Sequence, residues 1–270
     1  MRWNFLNIPK GAQRIMNQSE EDRAKLVTET ATRGLHMGHV AEVKKMLADN
    51  PYTGTNILEK GWRIVLKGQI CLEEKQYALA QFFLEQGKEI YEQHAKADRD
   101  ANINTAVIYI QLSDTHRRLS ESVDRNHHLN KALFYAKQAM DKFNSIEEMN
   151  VQYLIAGKRF VDIEIEMSTI QRNIEMLQID LDLLQQYYAL AKEYTDWDVH
   201  NTFMYGIIIS ISYVLCLFGR FEESITYLKP LKSVRIVPGF DDDRFEKILK
   251  MLYHSPNKVQ NDYHRELWQK

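Results

Sequence analysis

Apolar residues recur along most of this chain at spacings of three and four, the period of one helix face, and sustained strand alternation is found nowhere. The sharpest stretch is Trp62–Tyr91, WRIVLKGQICLEEKQYALAQFFLEQGKEIY, which reads as two short amphipathic helices joined by a polar turn at Glu73–Gln76. In the second helix Ala80, Leu84, Gly87 and Tyr91 share a face. In the first, Gly68 stands between Ile64 and Cys71 where a neighbouring helix can approach closely. The hairpin has a second copy. Phe203–Gly219 carries the stripe Met204, Ile208, Ile211, Leu215, Phe218, and Gly219–Ser224 repeats the turn, with Phe221 and Ser224 matching Tyr77 and Ala80. In that register Ser212 falls where Gly68 stood.

The rest of the chain follows the same period. The first twenty residues read as an irregular arm broken at Pro9-Lys10-Gly11, and Ser19-Glu20-Glu21-Asp22 is a helix start: a capping serine, then acids that suit the helix dipole. Lys25–Thr32 and Val40–Leu47 form a pair around Gly34/Gly38, closed by the turn residues Asp49–Gly54. No proline lies between Pro51 and Pro230, which favours nearly continuous helix. Gln93–Asn102 reads as a connector, then Asn104–Leu119 and Leu129–Phe143 as helices separated by the connector Glu121–His128. Asn150–Ser168 and Ile174–Tyr194 are the next pair, and Tyr194–Asn201 is a turn. Pro230 and Pro238-Gly239 close the array, with terminal helices expected over Asp241–Leu252 and Lys258–Trp268.

Composition narrows the class. The chain is 44% hydrophobic and 27% charged with a net charge of −2, a balance suited to a folded core and without the basic excess that nucleic-acid binding uses. Cys71 and Cys216 both sit in apolar helical patterns and read as buried thiols, which fits a reducing cytoplasm. The opening residues lack the apolar run of a secretory signal. Phe203–Gly219 carries no charge, but it is short for a membrane span and has no flanking basic cluster; a buried central helix is the expectation.

Candidate chemistry is sparse. There is no phosphate loop, paired-cysteine metal motif, HExxH or nucleophile elbow, so the expectation is a non-enzyme with no cofactor and no metal. His36 and His39 lack a third ligand, and His127-His128 sits in a polar connector, so all four read as surface histidines. Asp241-Asp242-Asp243 reads as a helix start. Thr28–Leu47 is the one segment with helix-turn-helix character, but its turn carries two glycines and no basic face accompanies it.

The small residue inside the first helix (Gly68), the aromatic opening the second (Tyr77) and the small residue three positions later (Ala80) resemble the tetratricopeptide pattern, and Ser212–Ser224 resembles it again. The fold expected is all-α: a superhelical array of degenerate tetratricopeptide-like hairpins over residues 55–235, preceded by an arm and helix pair over 1–54 and followed by capping helices over 236–270. In such arrays the first, or A, helix of each hairpin lines a concave groove suited to an extended peptide. Counting from Gly68, the groove positions are Trp62, Val65 and Gln69, then Asn104 and Asp114, then Arg159, then Asn201 and Tyr205. Arg159 is the cation that could receive a peptide carboxylate.

With its long helices and helical C-terminal cap, this pattern resembles the peptide-binding domains of Gram-positive quorum-sensing receptors, the Rap, Rgg, NprR, PlcR and PrgX group, and of phage arbitrium receptors. The resemblance implies binding of a short signalling peptide or partner protein in bacterial or phage regulation, and homodimerisation through terminal helices. Neither a DNA-binding head nor a Rap-type N-terminal bundle is recognisable. Two other readings follow from the same residues: an interaction scaffold whose groove is filled by its own C-terminal helix or a partner domain, and a DNA-binding regulator using the N-terminal helices.

Overall fold

The computed structural model describes residues 19–146, 150–193, 197–233 and 242–255, and among these every regular element is a helix. In chain order they are α1 (Glu20–His36), α2 (Val40–Asp49), α3 (Ile57–Glu73), α4 (Tyr77–His94), α5 (Arg99–Leu119), α6 (Arg125–Asn144), α7 (Asn150–Gln171), α8 (Ile174–Ala191), α9 (Trp197–Leu217), α10 (Phe221–Leu228) and α11 (Asp242–Tyr253), with a 3-10 turn over Lys229–Ser233. Consecutive helices pack in pairs. The chain divides into two compact units, Met1–Tyr135 and Ala136–Lys270, with the division inside α6. The residue 1–18 arm, Pro238-Gly239 and the Lys258–Trp268 helix expected from the sequence lie outside the described residues.

Side-chain caps set the helix starts. The Ser19 hydroxyl accepts from the Asp22 amide, Asn56 from Leu58 and Glu59, Asp98 from Ala101, and Asn173 from Met176. These caps correct the connectors read from polarity. Gln93–Asn102 is mostly helix, because α4 runs to His94 and Asp98 starts α5 at once. Glu121–His128 likewise shortens, since the Asp124 carboxylate accepts from the His127 amide and α6 begins at Arg125. The Tyr194–Asn201 turn is overtaken by α9, which begins at Trp197. First turns are solvated ends, so their polarity does not argue against helix.

Four hairpins close with one turn. At α3–α4 the Gln76 amide donates to the Cys71 carbonyl (2.7 Å) and Lys75 to Leu72 (3.1 Å), with Lys75 left-handed at φ 60°. At α9–α10 Arg220 donates to Leu215 (2.8 Å) and Gly219 to Cys216 (3.0 Å), with Gly219 at φ 72°. The same pair of bonds recurs at α1–α2 around Gly38 (φ 78°) and at α7–α8 around Arg172 (φ 56°). This is the Schellman arrangement, which satisfies the last carbonyls of the first helix. Counted from that turn, Gly68 and Ser212 occupy one position, as the repeat register requires. A Cβ on Gly68 would come within 2.8 Å of Leu84 Cγ. Ser212 is fully buried, and its carbonyl accepts from the Ser224 hydroxyl at 3.1 Å.

The uncharged segment is explained by burial on two sides. In α9, Ile207, Ile211, Val214 and Leu215 pack against α7 and α8, while Ile208, Ile209 and Cys216 pack against α10, the 3-10 turn and α11. Each such apolar side chain contributes about 1.5–3 kcal/mol by leaving water. No helix among the described residues is long and apolar enough to cross a membrane.

Candidate functional site

Two of the groove positions read from the sequence meet the same ring. The Trp62 indole is half-buried in a layer with Leu35, Val43, Leu66 and Ile70, donates to the Thr32 hydroxyl at 3.1 Å, and meets Tyr91 edge-on at 5.9 Å. Asn104, on α5, hydrogen-bonds the Tyr91 hydroxyl, which itself donates to the Leu58 carbonyl at 2.8 Å. Burial holds that phenol well above the usual range. Val65 is fully buried under Gly87, where a Cβ would come within 2.4 Å of its Cγ2. Asp114 and Arg159 are each half-exposed and engaged by other groups. Tyr205 packs on the apolar layer of Ile208, Leu228 and Ile248. The Asn201 side chain lies outside the described residues.

Gln69 is different. Its Oε1 is shut away from solvent and meets no donor among the described residues, and the same holds for Gln111 Oε1 on α5, which packs beside α3. A buried carboxamide oxygen without a donor costs about 1–3 kcal/mol.

The dominant polar centre of the second unit was not legible as a site. Asp162 on α7 is 4% exposed, and its carboxylate accepts from Lys158 Nζ (2.5 Å), from the Ser210 hydroxyl of α9 (2.6 Å) and from Arg244 Nη1 of α11 (2.5 Å). Arg244 Nη2 also reaches the Asp162 carbonyl at 3.1 Å, and the guanidinium lies 5.5 Å from the Tyr213 ring. Burial pushes the Asp162 carboxyl up, but the adjacent Lys158 and Arg244 cations overcome this and hold it far below the usual carboxylate range. Around this centre α11 lays Ile248 and Leu252 onto α9. Sequence reasoning chose Arg159; Asp162, paired one turn away with Lys158, carries the contacts to α9 and α11.

The first unit holds a stacked aromatic column on α5 and α6. His116 is fully buried with its ring 9° from the Tyr135 plane at 5.6 Å, and on its other neighbour, His128, the centroids are 5.2 Å apart. The two Nδ1 atoms are 2.9 Å apart, so one ring donates and the other accepts. His116 Nε2 is buried without a partner among the described residues. Burial, then the Lys131 and His128 charges, push His116 down from 6.5 to about 4. His128, read from its polar surroundings as a surface histidine, is half-exposed and stacks on His116. Below the stack Tyr135 donates to Glu85 at 2.6 Å, and Lys88 pairs with the same carboxylate. Burial and the Glu85 contact push the Tyr135 phenol up to about 12.

Among the described residues no group of three or more His, Cys, Asp or Glu side chains is placed to hold a metal ion. Cys71 and Cys216 are free and buried, with burial pushing both thiols up, away from nucleophilic reactivity. His36 ends α1 and His39 precedes α2 across the Gly38 turn, so they do not share a helix face. No family model, no curated protein and no solved structure matches the chain.

Proposed function

We propose that this chain is a non-enzymatic binding protein: an array of tetratricopeptide-like hairpins whose A helices form a superhelical groove for a short signalling peptide or an extended protein segment. The observation that carries the reading is the pair of buried, donorless carboxamide oxygens at Gln69 and Gln111, on neighbouring A helices. An extended peptide brings a row of backbone N–H donors, and each carboxamide turning out of its buried place to accept one removes a standing penalty of about 1–3 kcal/mol. The test is selection of displayed random peptides on the full chain, followed by titration of the enriched peptides into Gln69→Leu and Gln111→Leu. Affinity should fall about ten- to a hundredfold while both variants stay as stable as the parent or more so. Enrichment of no peptide, or affinity indifferent to both substitutions, overturns the reading.

A second reading rests on α11. The Asp162–Ser210–Arg244 contacts, with Ile248 and Leu252 beside them, seat the chain's own amphipathic helix against α7 and α9. That favours a scaffold in which the face of the second unit is filled in cis and partners dock elsewhere.

A further inference from the structure

In the α7–α8 hairpin a pair of acids, Glu164 and Asp180, has no cation to answer it among the described residues. Asp180, on α8, is fully buried, and among the described residues neither of its carboxyl oxygens meets an N–H or hydroxyl donor. The group in hydrogen-bonding reach is the half-buried Glu164 carboxyl of α7. Two ionised carboxylates only repel, so a hydrogen bond between carboxyls requires one of them to keep its proton.

Among the described residues the surroundings offer no other way to satisfy the pair. From α7 the facing groups are Asp162, whose charge is already matched by Lys158 and Arg244, and the Tyr153 hydroxyl, which is bonded to Tyr187. From α8 comes Tyr187, its phenol pushed up to about 12 by burial and by Tyr153 and Glu164, and lodged where a Cβ on Gly157 would come within 2.6 Å of its hydroxyl. Glu166 acts on Tyr213 rather than on the pair. α9 packs against both helices and contributes no charge between Phe203 and Leu217. From α11, Arg244 reaches α7 and is committed to Asp162. No Lys or Arg among the described residues pairs with Asp180 or Glu164.

We propose that Glu164 and Asp180 form a one-proton lock between α7 and α8, closed while the pair shares a proton and loosened when it ionises. The inference does not depend on the peptide-binding reading. Burial, and then the Glu164 charge, push Asp180 up from 3.8 to about 7, and burial pushes Glu164 up as well, so the proton is held through the mildly acidic range. The sign follows from linkage. Below pH about 4 the Asp180 carboxyl is protonated in the folded and the unfolded chain alike. As pH rises from there the unfolded chain gives up its proton first, and the folded state loses up to tenfold in its folding constant per pH unit until about pH 7. Ionisation then repels α8 from α7, which also carries Asp162 and so the seat of Arg244.

The test is urea unfolding of the full chain from pH 4 to pH 8, followed on α7–α8, for the parent, Asp180→Asn and the exposed neighbour control Asp182→Asn. Asp180→Asn keeps the shape, and its amide can donate to Glu164 at any pH. It should match the parent near pH 4 and exceed it progressively, reaching on the order of a thousandfold in folding constant by pH 8. Asp182→Asn should follow the parent throughout. Glu164→Gln provides an independent variant should Asp180→Asn fail to fold, and it should flatten the same profile. The infrared band of a protonated carboxylic acid should be present in the parent at pH 5.5 and absent in Asp180→Asn. A parent profile parallel to that of the folded variant, or no protonated acid at pH 5.5, overturns the proposal.

Discussion

Replacing His116 by Phe removes a titratable ring from the column on α5 and α6 while keeping an aromatic plane between Tyr135 and His128. In the parent, His116 is neutral in the folded state down to about pH 4, whereas in the unfolded chain it takes a proton near 6.5. The folded state therefore binds fewer protons over that interval, and its stability falls as pH drops from 6.5 towards 4. The full difference corresponds to about 3 kcal/mol, and at pH 4.5 about 2.5 kcal/mol of it is in force. Because the ring is fully buried, solvent does not screen the effect away. At pH 7.5 the substitution loses the Nδ1–Nδ1 bond but also removes the stranded Nε2, so the two changes offset to within about 1 kcal/mol. The assay is urea unfolding of parent and variant at pH 7.5 and pH 4.5, read on α5–α6. Acid-sensitive carboxylates elsewhere are common to both proteins and cancel in the comparison. The variant should lose about 2.5 kcal/mol less than the parent on acidification. Equal losses would show that His116 already carries a charge in the folded state, and the account of the column would fail.

The shared turn makes a directional prediction. Lys75→Gly and Arg172→Gly should each raise stability by about 0.5–1 kcal/mol, relieving a left-handed residue with a side chain, while Gly38→Ala and Gly219→Ala should lower it by about 1–2 kcal/mol; thermal melts of the four variants check this. Arg244→Ala should cost the second unit about 1.5–3 kcal/mol, because it removes charged hydrogen bonds from a buried carboxylate that keeps Lys158 and Ser210, and a labelled peptide of residues 242–255 should then bind the variant but not the parent. Peptide binding equal in both, or stability unchanged, would remove α11 from the face to which Arg244 ties it.

Periodicity made the helices legible because it reports burial, and burial decides helix faces. Gly38 and Gly219 marked their turns because a left-handed residue is cheapest as glycine. Lys75 and Arg172 hold the same conformation and gave no such signal; the closing bonds come from the backbone and leave no trace in side-chain type. The polar groups were harder for a different reason. Arg244 lies 82 positions from Asp162, and a charge pair between distant helices looks in sequence like two ordinary surface residues. His128 looked solvated because its neighbours in the chain are polar, while its partner His116 lies one helix away. Gln69 was named because the small-residue register fixes which side of α3 it occupies. Trp62 was named by the same count, but an aromatic ring fits groove or core equally well, and its packing with Leu66 and Tyr91 depends on helices the count does not place.

Two of the buried titratable groups, His116 and Asp180, act in opposite directions. His116, in the first unit, takes stability away as pH falls from 6.5 towards 4; Asp180, in the second, takes it away as pH rises from about 4 towards 7. Each involves about one proton over nearly the same interval, so their slopes cancel in any measurement that sums over the chain. They remain separate in measurements made on α5–α6 and on α7–α8. Both arise from one physical cause, burial of a polar side chain that no opposite charge offsets, Glu85 being outweighed at His116, so that the neutral form is the one the fold accepts. Imidazole is neutral above its pKa and a carboxylic acid below it. The interval in which His116 and Asp180 are both uncharged, and both of their hydrogen bonds intact, therefore runs from about pH 4 to about pH 7.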